Sequence, residues 1–263
     1  MSAFLAAALL ASLVVASNHT IECAPGLQIF VARGTEERPG PGVSGAIAEA
    51  VLNEISGSAF QAIDYPASNK DPVYFDSVRN GIHVVRQSLI DYTEACPNGK
   101  IALLGYSQGA QITANALSGT VVAWSPYPET GKNLDSLDDD VTKNIVAVAL
   151  FGDPSLAPKA KYRKGTANPD FEGVFHRHNS SGLDALGGRL VSYCDAGDVF
   201  CDAGSDPVIP AHLHYHETYG AEVVEFFVRQ YEDPDSSAPS PSASATPSVS
   251  ESGATRRAMP FRW

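Results

Sequence analysis

Basic residues are scarce in this 263-residue chain: 18 lysines and arginines stand against 30 aspartates and glutamates, which gives a formal net charge of −12. Because phosphate binding needs a basic surface, nucleic acid is not an expected partner. The sequence also lacks a long hydrophobic run beyond its N-terminus, and the N-terminal run is too short to cross a membrane comfortably. An acidic, soluble protein without a membrane span is the expectation, and 44% hydrophobic residues suffice for a packed core.

The N-terminal run, residues 1–16, is uncharged and ends in the small residues Val14-Val15-Ala16. This pattern predicts a secretory signal peptide, although no lysine or arginine precedes the apolar stretch. An N-terminal membrane anchor is the alternative interpretation. We therefore expect a secreted, extracellular protein.

Residues 233–263 are rich in serine and proline and cannot build a core. They predict a disordered tail, and the region between the signal peptide and this tail shows neither an internal repeat nor a second core. One domain over residues 17–232 is therefore expected.

Cysteine is sparse, and the four cysteines allow three disulfide pairings in an oxidising compartment. Cys194 and Cys201 are close in sequence across a loop that contains glycine, which favours their pairing and leaves Cys23 to pair with Cys96. Two N-x-[ST] triplets, at Asn18 and Asn179, are potential glycan sites, although such triplets also occur by chance.

The most informative stretch is Ile101-Ala-Leu-Leu-Gly-Tyr-Ser-Gln-Gly-Ala110. It contains G-x-S-x-G between an apolar strand and a helix-like segment, which is the context of a nucleophilic serine at a strained strand-to-helix turn. Ser107 is the predicted nucleophile, and the helix after it would point backbone N–H groups at a developing oxyanion. A glycine-rich turn with an exposed serine is the alternative.

Strand-like and helix-like segments alternate along the chain, which predicts an α/β fold. We expect a three-layer α/β/α sandwich with a mostly parallel central sheet, similar to α/β-hydrolases. The predicted strands are 27–32, 59–63, 101–104, 144–151 and 189–193, and the predicted helices are 46–55, 75–95, 108–117 and 217–231.

A serine nucleophile needs a base, and the base needs an orienting acid, which in this fold class follow the serine in the order Asp or Glu, then His. Asp198 is the candidate acid and His212 the candidate base. The alternatives for the acid are turn residues, namely Asp195, Asp202 and Asp206. On an extended segment His212, His214 and His216 would face one way, which could suggest a metal site, but no cysteine or acidic ligand lies at a recognised spacing. We expect no metal.

Several motifs together resemble the cutinase and acetylxylan esterase family. They are Gly-Tyr-Ser107-Gln-Gly, Phe-Gly-Asp153-Pro, and Cys194-Asp-Ala-Gly-Asp198 followed by Cys201, and the similarity covers about residues 23–231. The resemblance implies a lidless serine esterase without cofactor, with the triad Ser107, Asp198 and His212. It also implies an oxyanion hole from Thr35 and the residue after the serine, Gln108, and the same disulfides, Cys23–Cys96 and Cys194–Cys201.

The resemblance leaves the substrate open between two branches. The apolar loop Asp206-Pro-Val-Ile-Pro210 favours acyl chains, with Val208 and Ile209 as predicted substrate-binding residues, because each buried methylene contributes roughly 0.8 kcal/mol. We expect a cutinase-type enzyme that cleaves cutin-like polyesters or short acyl esters, acting as a monomer. Removal of acetyl groups from cell-wall xylan is the first alternative, and a non-catalytic wall-binding or host-interaction protein is the second.

Overall fold

The computed structural model describes residues 20–70, 73–120, 134–135, 137–205 and 208–234. The predicted signal peptide, the sequon at Asn18 and the tail beyond residue 234 lie outside the described residues. None of the helices within those ranges is long and apolar enough to cross a membrane.

The described strands form one six-stranded sheet in which every neighbouring pair is parallel, in the order β2-β1-β3-β4-β6-β5. Parallel strands bring their carboxyl ends to one edge, where open α/β sheets place their ligand sites. The strands are β1 (Leu27–Ala32), β2 (Ala59–Ala62), β3 (Lys100–Tyr106), β4 (Ile145–Phe151), β5 (Arg163–Lys164) and β6 (Leu190–Tyr193).

Helices cover both faces of this sheet. Alternate residues of β1 enter separate apolar clusters, with Phe30 packed in the α2 and α3 cluster and Ile29 in the α1 and α6 cluster. This confirms the predicted three-layer α/β/α sandwich. The helices are α1 (Gly45–Glu54), α2 (Val73–Ala95), α3 (Gln108–Ser118), α4 (Asp139–Thr142), α5 (Ser181–Asp184) and α6 (Tyr215–Glu232).

Two disulfides brace the sandwich, and both predicted pairings are confirmed. Cys23 is bonded to Cys96 at the end of α2, and Cys194 is bonded to Cys201 across a loop that follows β6. The second bond closes a small loop directly after β6, at the carboxyl edge of the sheet.

Three short elements were not predicted, namely α4, α5 and the two-residue strand β5. β5 pairs with β6 at the edge of the sheet, between Arg163 and Ser192 and between Lys164 and Tyr193. A strand of two residues has no alternation of apolar and polar positions, so sequence periodicity cannot reveal it.

Candidate active site

Ser107 lies at the sharp turn between β3 and α3, as predicted for the nucleophile. Its backbone has φ 54° and ψ −120°, a strained conformation for a residue that carries a Cβ. Two hydrogen bonds hold the turn: the Ser107 N–H donates to the Phe151 carbonyl (2.8 Å), and the Gln111 N–H donates to the Ser107 carbonyl (3.0 Å). Because β4 supplies one of these partners and α3 the other, the turn is fixed both to the sheet and to the helix.

Two glycines allow close packing around this turn. A Cβ added to Gly109 would lie 2.1 Å from the Ala32 carbonyl oxygen, so only glycine lets α3 begin against the end of β1. A Cβ on Gly152, just after β4, would lie 2.8 Å from Cε1 of His212. Gly152 therefore provides the space that the His212 ring occupies, a role that the sequence did not reveal.

The three predicted triad residues come together in one chain of hydrogen bonds. His212 Nε2 lies 2.9 Å from Ser107 Oγ, and His212 Nδ1 lies 2.8 Å from Asp198 Oδ2. The carboxylate can only accept, so the neutral imidazole carries its proton on Nδ1 and leaves Nε2 free to accept the serine proton. Tyr106 holds the backbone of this histidine in place, because its hydroxyl donates to the His212 carbonyl oxygen (2.9 Å).

Asp198 is completely buried within the disulfide loop. Burial alone would raise its pKa, but hydrogen bonds from the His212 ring, the Tyr215 hydroxyl and the Phe200 N–H outweigh that effect and hold the pKa below its usual value. The Phe200 N–H donates to Oδ1 (2.9 Å), while Tyr215 donates to Oδ2 (2.6 Å). This carboxylate is therefore charged and fixed in orientation at neutral pH.

The three histidines do not face one way, because the segment that carries them is not extended. His212 lies in a 3₁₀ turn, Ile209–Leu213, and His214 and His216 lie at the start of α6, so their side chains diverge. His214 is exposed, and His216 Nε2 lies 2.8 Å from Ser44 Oγ. The alternation of histidines left the conformation of this segment open, and Pro210 at the start of a turn favours helical geometry. Within the described residues, no group of three or more potential metal ligands is found.

His216 should make the folded protein less stable in acid. Burial lowers its pKa to about 4 from the usual 6.5, so the unfolded chain takes up the proton first and the free energy of unfolding falls between pH 6.5 and 4. Replacing it by glutamine removes the titration. We expect the wild type to lose about 2–3 kcal/mol more than His216→Gln between pH 7 and pH 4.5, measured by urea unfolding. Equal losses in both proteins would contradict this account of His216.

The two predicted oxyanion donors lie beside each other. Gln108 is fully buried at the start of α3, and its side-chain Nε2 donates to Thr35 Oγ1 (3.3 Å) and to the Ser68 carbonyl (2.8 Å). Ser77 fixes the amide orientation by donating to Gln108 Oε1 (2.7 Å). Since Thr35 Oγ1 accepts from Gln108, its own proton is free to point towards a bound substrate.

Ser107 and His212 open into a cleft of about 820 Å³ with a mostly apolar lining. Four of its apolar side chains are 40–63% exposed, which is unusual for residues of this kind: Val174, Val199, Phe200 and Leu213. Tyr74, Phe75 and Phe175 form an aromatic cluster in the same lining, with ring centroids 5.2–5.5 Å apart. Thr35, Glu36 and Asn69 supply polar groups.

The predicted substrate-binding residues fit this cleft less well. Val208 is 49% exposed and is not one of the described residues that line it, and the side chain of Ile209 lies outside the described part of the chain. The apolar lining comes instead from the disulfide loop, from residues 174–175, from Tyr74 and Phe75 of α2, and from Leu213. The sequence did offer one signal for this lining: two adjacent apolar residues, Val199 and Phe200, stand in the otherwise polar loop between Cys194 and Cys201.

A buried ion pair anchors part of the lining. Arg177 Nη2 donates to Asp153 Oδ2 (2.7 Å), both side chains are fully buried, and Arg177 Nε donates to Asn115 Oδ1 (3.0 Å). The backbone between them is tied back as well, because the Phe175 N–H donates to the Pro154 carbonyl (2.8 Å). The Asp153 motif therefore supports the segment that carries Val174 and Phe175.

Comparison with known proteins identifies the family of this chain. The cutinase family model matches residues 23–231. Acetylxylan esterase 2 of Talaromyces purpureogenus is 33% identical over 208 residues, which cover 77% of this chain and 85% of that protein. Cutinase 11 of Verticillium dahliae is 30% identical over 225 residues, which cover 83% of this chain and 74% of that protein.

Solved structures lead to the same family. The catalytic core domain of acetyl xylan esterase from Trichoderma reesei superimposes with a TM-score of 0.68 at 29% identity, covering 79% of this chain and 99% of that one. Trichoderma reesei cutinase in complex with a phosphonate inhibitor gives a TM-score of 0.55 at 25% identity, covering 80% and 77%. The resemblance predicted from the motifs is confirmed: the chain belongs to the cutinase family and is a serine carboxylic ester hydrolase.

Proposed function

We propose that Ser107, His212 and Asp198 form the catalytic triad of this hydrolase, which cleaves esters of apolar acyl groups. The observation that carries the proposal is the pair of hydrogen bonds from Ser107 Oγ through His212 to Asp198, at a cleft with apolar walls. Family membership favours this assignment over the alternative of a non-catalytic wall-binding protein.

The geometry supports a two-step acyl transfer. His212 Nε2 takes the Ser107 proton while Ser107 Oγ forms a bond to the ester carbonyl carbon. The ester C–O bond then breaks, and the same proton passes from Nε2 to the departing alcohol. A water molecule attacks the acyl-serine with His212 again as base, and the acid is released with Ser107 restored. Asp198 holds the imidazole by Nδ1–H and stabilises its positive charge.

Thr35 and the backbone N–H of Gln108 are proposed to stabilise the tetrahedral oxyanion. The Gln108 N–H belongs to the first turn of α3, where the helix dipole favours negative charge. The Gln108 side chain holds the Thr35 hydroxyl in place, so both donors are set before substrate binds. Donors that need no reorganisation stabilise a transition state more than mobile ones.

The lining of the cleft supports an acyl group longer than acetyl. An acetyl group offers a single methyl, whereas the exposed apolar side chains at the cleft extend over several residues, and each methylene buried against them contributes roughly 0.8 kcal/mol. The proposed substrates are therefore cutin-like polyesters or acyl esters of moderate length. Release of acetyl groups from xylan is the second candidate, and the 33%-identical acetylxylan esterase supports it.

Val174 provides a test of this substrate class, with Ile21 as a matched control. Val174 is 41% exposed in the cleft, and Ile21 is 43% exposed but does not belong to the cleft lining. We expect Val174→Asn to lower kcat/KM for p-nitrophenyl octanoate by roughly 5–10-fold, because contact with acyl methylenes is lost. Hydrolysis of p-nitrophenyl acetate by the same variant, and of both esters by Ile21→Asn, should stay within about twofold of wild type.

Two measurements distinguish the second candidate, an acetylxylan esterase, from the first: the dependence of kcat/KM on acyl chain length, and the release of acetate from acetylated xylan. Wild-type kcat/KM that rises from acetate to butyrate and octanoate supports the apolar acyl substrate. A preference for p-nitrophenyl acetate together with fast release of acetate from acetylated xylan would overturn it and favour the xylan esterase.

The proposed organisation of the chain has three parts, namely a signal peptide at 1–16, the esterase domain at 17–232 and a Ser/Pro-rich tail at 233–263. The two disulfides support export to an oxidising compartment. Mass spectrometry of the secreted protein tests the proposed signal peptide, because cleavage after residue 16 would give an N-terminal peptide that begins at Ser17. Action as a monomer without a cofactor, and glycans at Asn18 and Asn179, stay predictions.

A further inference from the structure

Tyr215 makes a hydrogen bond at the site that the triad does not account for. It is the first residue of α6, it is completely buried, and its hydroxyl lies 2.6 Å from Asp198 Oδ2. The same hydroxyl oxygen accepts from the backbone N–H of Asp195 (3.0 Å). Since an N–H already occupies the acceptor side of the phenol oxygen, its single proton is directed to the Asp198 carboxylate.

We propose that Tyr215 is a positioning residue of this esterase: it shares Asp198 Oδ2 with His212 and thereby fixes how the carboxylate holds and orients the histidine ring. This role rests on the proposed triad. Two donors converge on one carboxylate oxygen, the Nδ1–H of His212 at 2.8 Å and the Tyr215 hydroxyl at 2.6 Å. The Phe200 N–H holds the other oxygen, so the carboxylate cannot rotate.

The phenol stays a donor across the working pH range. Burial and the charge of Asp198 raise the pKa of Tyr215 far above its usual value, so the hydroxyl remains protonated. It withdraws negative charge from the oxygen that faces His212, and the imidazolium is stabilised less than by an unshared carboxylate. Tyr215 therefore weakens the stabilisation that Asp198 gives to the protonated ring of His212.

Other charged and titratable groups face the hydrogen-bonded pair of Tyr215 and Asp198 and influence its charge. They stay in place when only the phenol oxygen is removed, so they are common to every variant below. They are Asp195 from the disulfide loop, Asp202 directly after that loop, Arg163 from β5 and Tyr106 from β3.

Tyr215→Phe is the informative change, because it removes the donor and keeps the ring. We expect the acid limb of the kcat/KM profile to move up by roughly 0.5–1 pH unit, since the unshared carboxylate holds the imidazolium more strongly. At the pH plateau kcat/KM should fall by roughly tenfold, the effect of losing one hydrogen bond to a charged group. A purely structural tyrosine would lower the melting temperature without moving the limb.

Tyr219 offers a matched control one turn further along α6. Its hydroxyl donates to Asp195 Oδ1 (2.7 Å) in the same disulfide loop, and its ring stacks on Tyr215, but Asp198 is not its partner. Tyr219→Phe should therefore keep the wild-type acid limb and a rate within about twofold. Equal profiles for Tyr215→Phe and the wild type, or equal shifts in both phenylalanine variants, would overturn the proposal.

A second variant guards against misfolding of Tyr215→Phe. Genetic incorporation of 3-fluorotyrosine at position 215 keeps the hydroxyl and makes the phenol more acidic, hence a stronger donor. The acid limb should then move to lower pH, opposite to Tyr215→Phe, and an unchanged limb would overturn the role. Ser107→Ala distinguishes failure of the proposed triad from failure of the role proposed for Tyr215. If Ser107→Ala keeps its rate, the triad is wrong. If Ser107→Ala is inactive but the Tyr215 variants leave the acid limb unshifted, only the inference on Tyr215 is wrong.

Discussion

Ser107→Ala should lower kcat for a short p-nitrophenyl ester by about 10⁴–10⁶-fold, judging by serine hydrolases in general. Without Oγ the acyl-enzyme cannot form, and the only remaining catalysis comes from the oxyanion donors and substrate binding. The substitution keeps the Cβ, so an alanine bears the same strain at φ 54° as the serine it replaces. The loss of rate should therefore occur without loss of fold, which stopped-flow or long-time ester assays and a melting curve can measure together.

The chain supplies its own control for this change. Ser44 is also buried, and its Oγ is also within hydrogen-bond distance of a histidine nitrogen, Nε2 of His216 (2.8 Å), but it does not belong to the cleft lining. Ser44→Ala should cost about 1 kcal/mol of stability through the lost hydrogen bond and leave kcat within a few-fold. A Ser107→Ala protein that keeps more than a tenth of the wild-type rate would refute the nucleophile assignment.

His212→Ala should cost almost as much as Ser107→Ala, at least about 10⁴-fold in kcat, because the members of a triad act as a unit. The ring is the only group in hydrogen-bond contact with both Ser107 and Asp198 among the described residues. Its removal leaves the serine protonated and the buried carboxylate without its main partner. The measurement is kcat on the same short ester across pH 5–9, with folding checked by circular dichroism.

The neighbouring histidines, His214 and His216, serve as controls that test whether the role of base belongs to His212 alone. His214 is exposed, so His214→Ala should keep the wild-type rate within about twofold. His216→Ala should alter stability through Ser44 rather than the rate. If a folded His212→Ala enzyme keeps its rate while either neighbour loses it, the base has been assigned to the wrong histidine.

The elements that carry long-range periodicity could be predicted from the sequence. The apolar run of β4 and the helical spacing of α2 each identify an element because burial repeats over seven or more residues. Ser107, Asp198 and His212 could be named because the order of the motifs is tied to the fold class, and each occurs within a distinctive local sequence.

What the sequence did not reveal depends on contacts between distant segments. Tyr215 looks like an ordinary core aromatic until α6 brings its hydroxyl to the loop of Asp198, 17 residues away. Val174 has no neighbouring motif, and its place in the cleft follows from the Phe200 carbonyl that accepts from its N–H (2.9 Å). The divergence of the three histidines could not be predicted, because alternate polar residues fit both an edge strand and the junction of a 3₁₀ turn with a helix.

The most direct test of the account is covalent labelling of the nucleophile. The wild-type protein is treated with a p-nitrophenyl alkylphosphonate, the fraction of activity lost is compared with the p-nitrophenol released, and the modified peptide is located by mass spectrometry. We predict one phosphonyl group per molecule, attached to Ser107, with activity lost in step and with no labelling of Ser107→Ala or His212→Ala on the same timescale. Complete inactivation with the label on another residue, or an enzyme that stays unlabelled while it hydrolyses esters, would contradict the central role of Ser107.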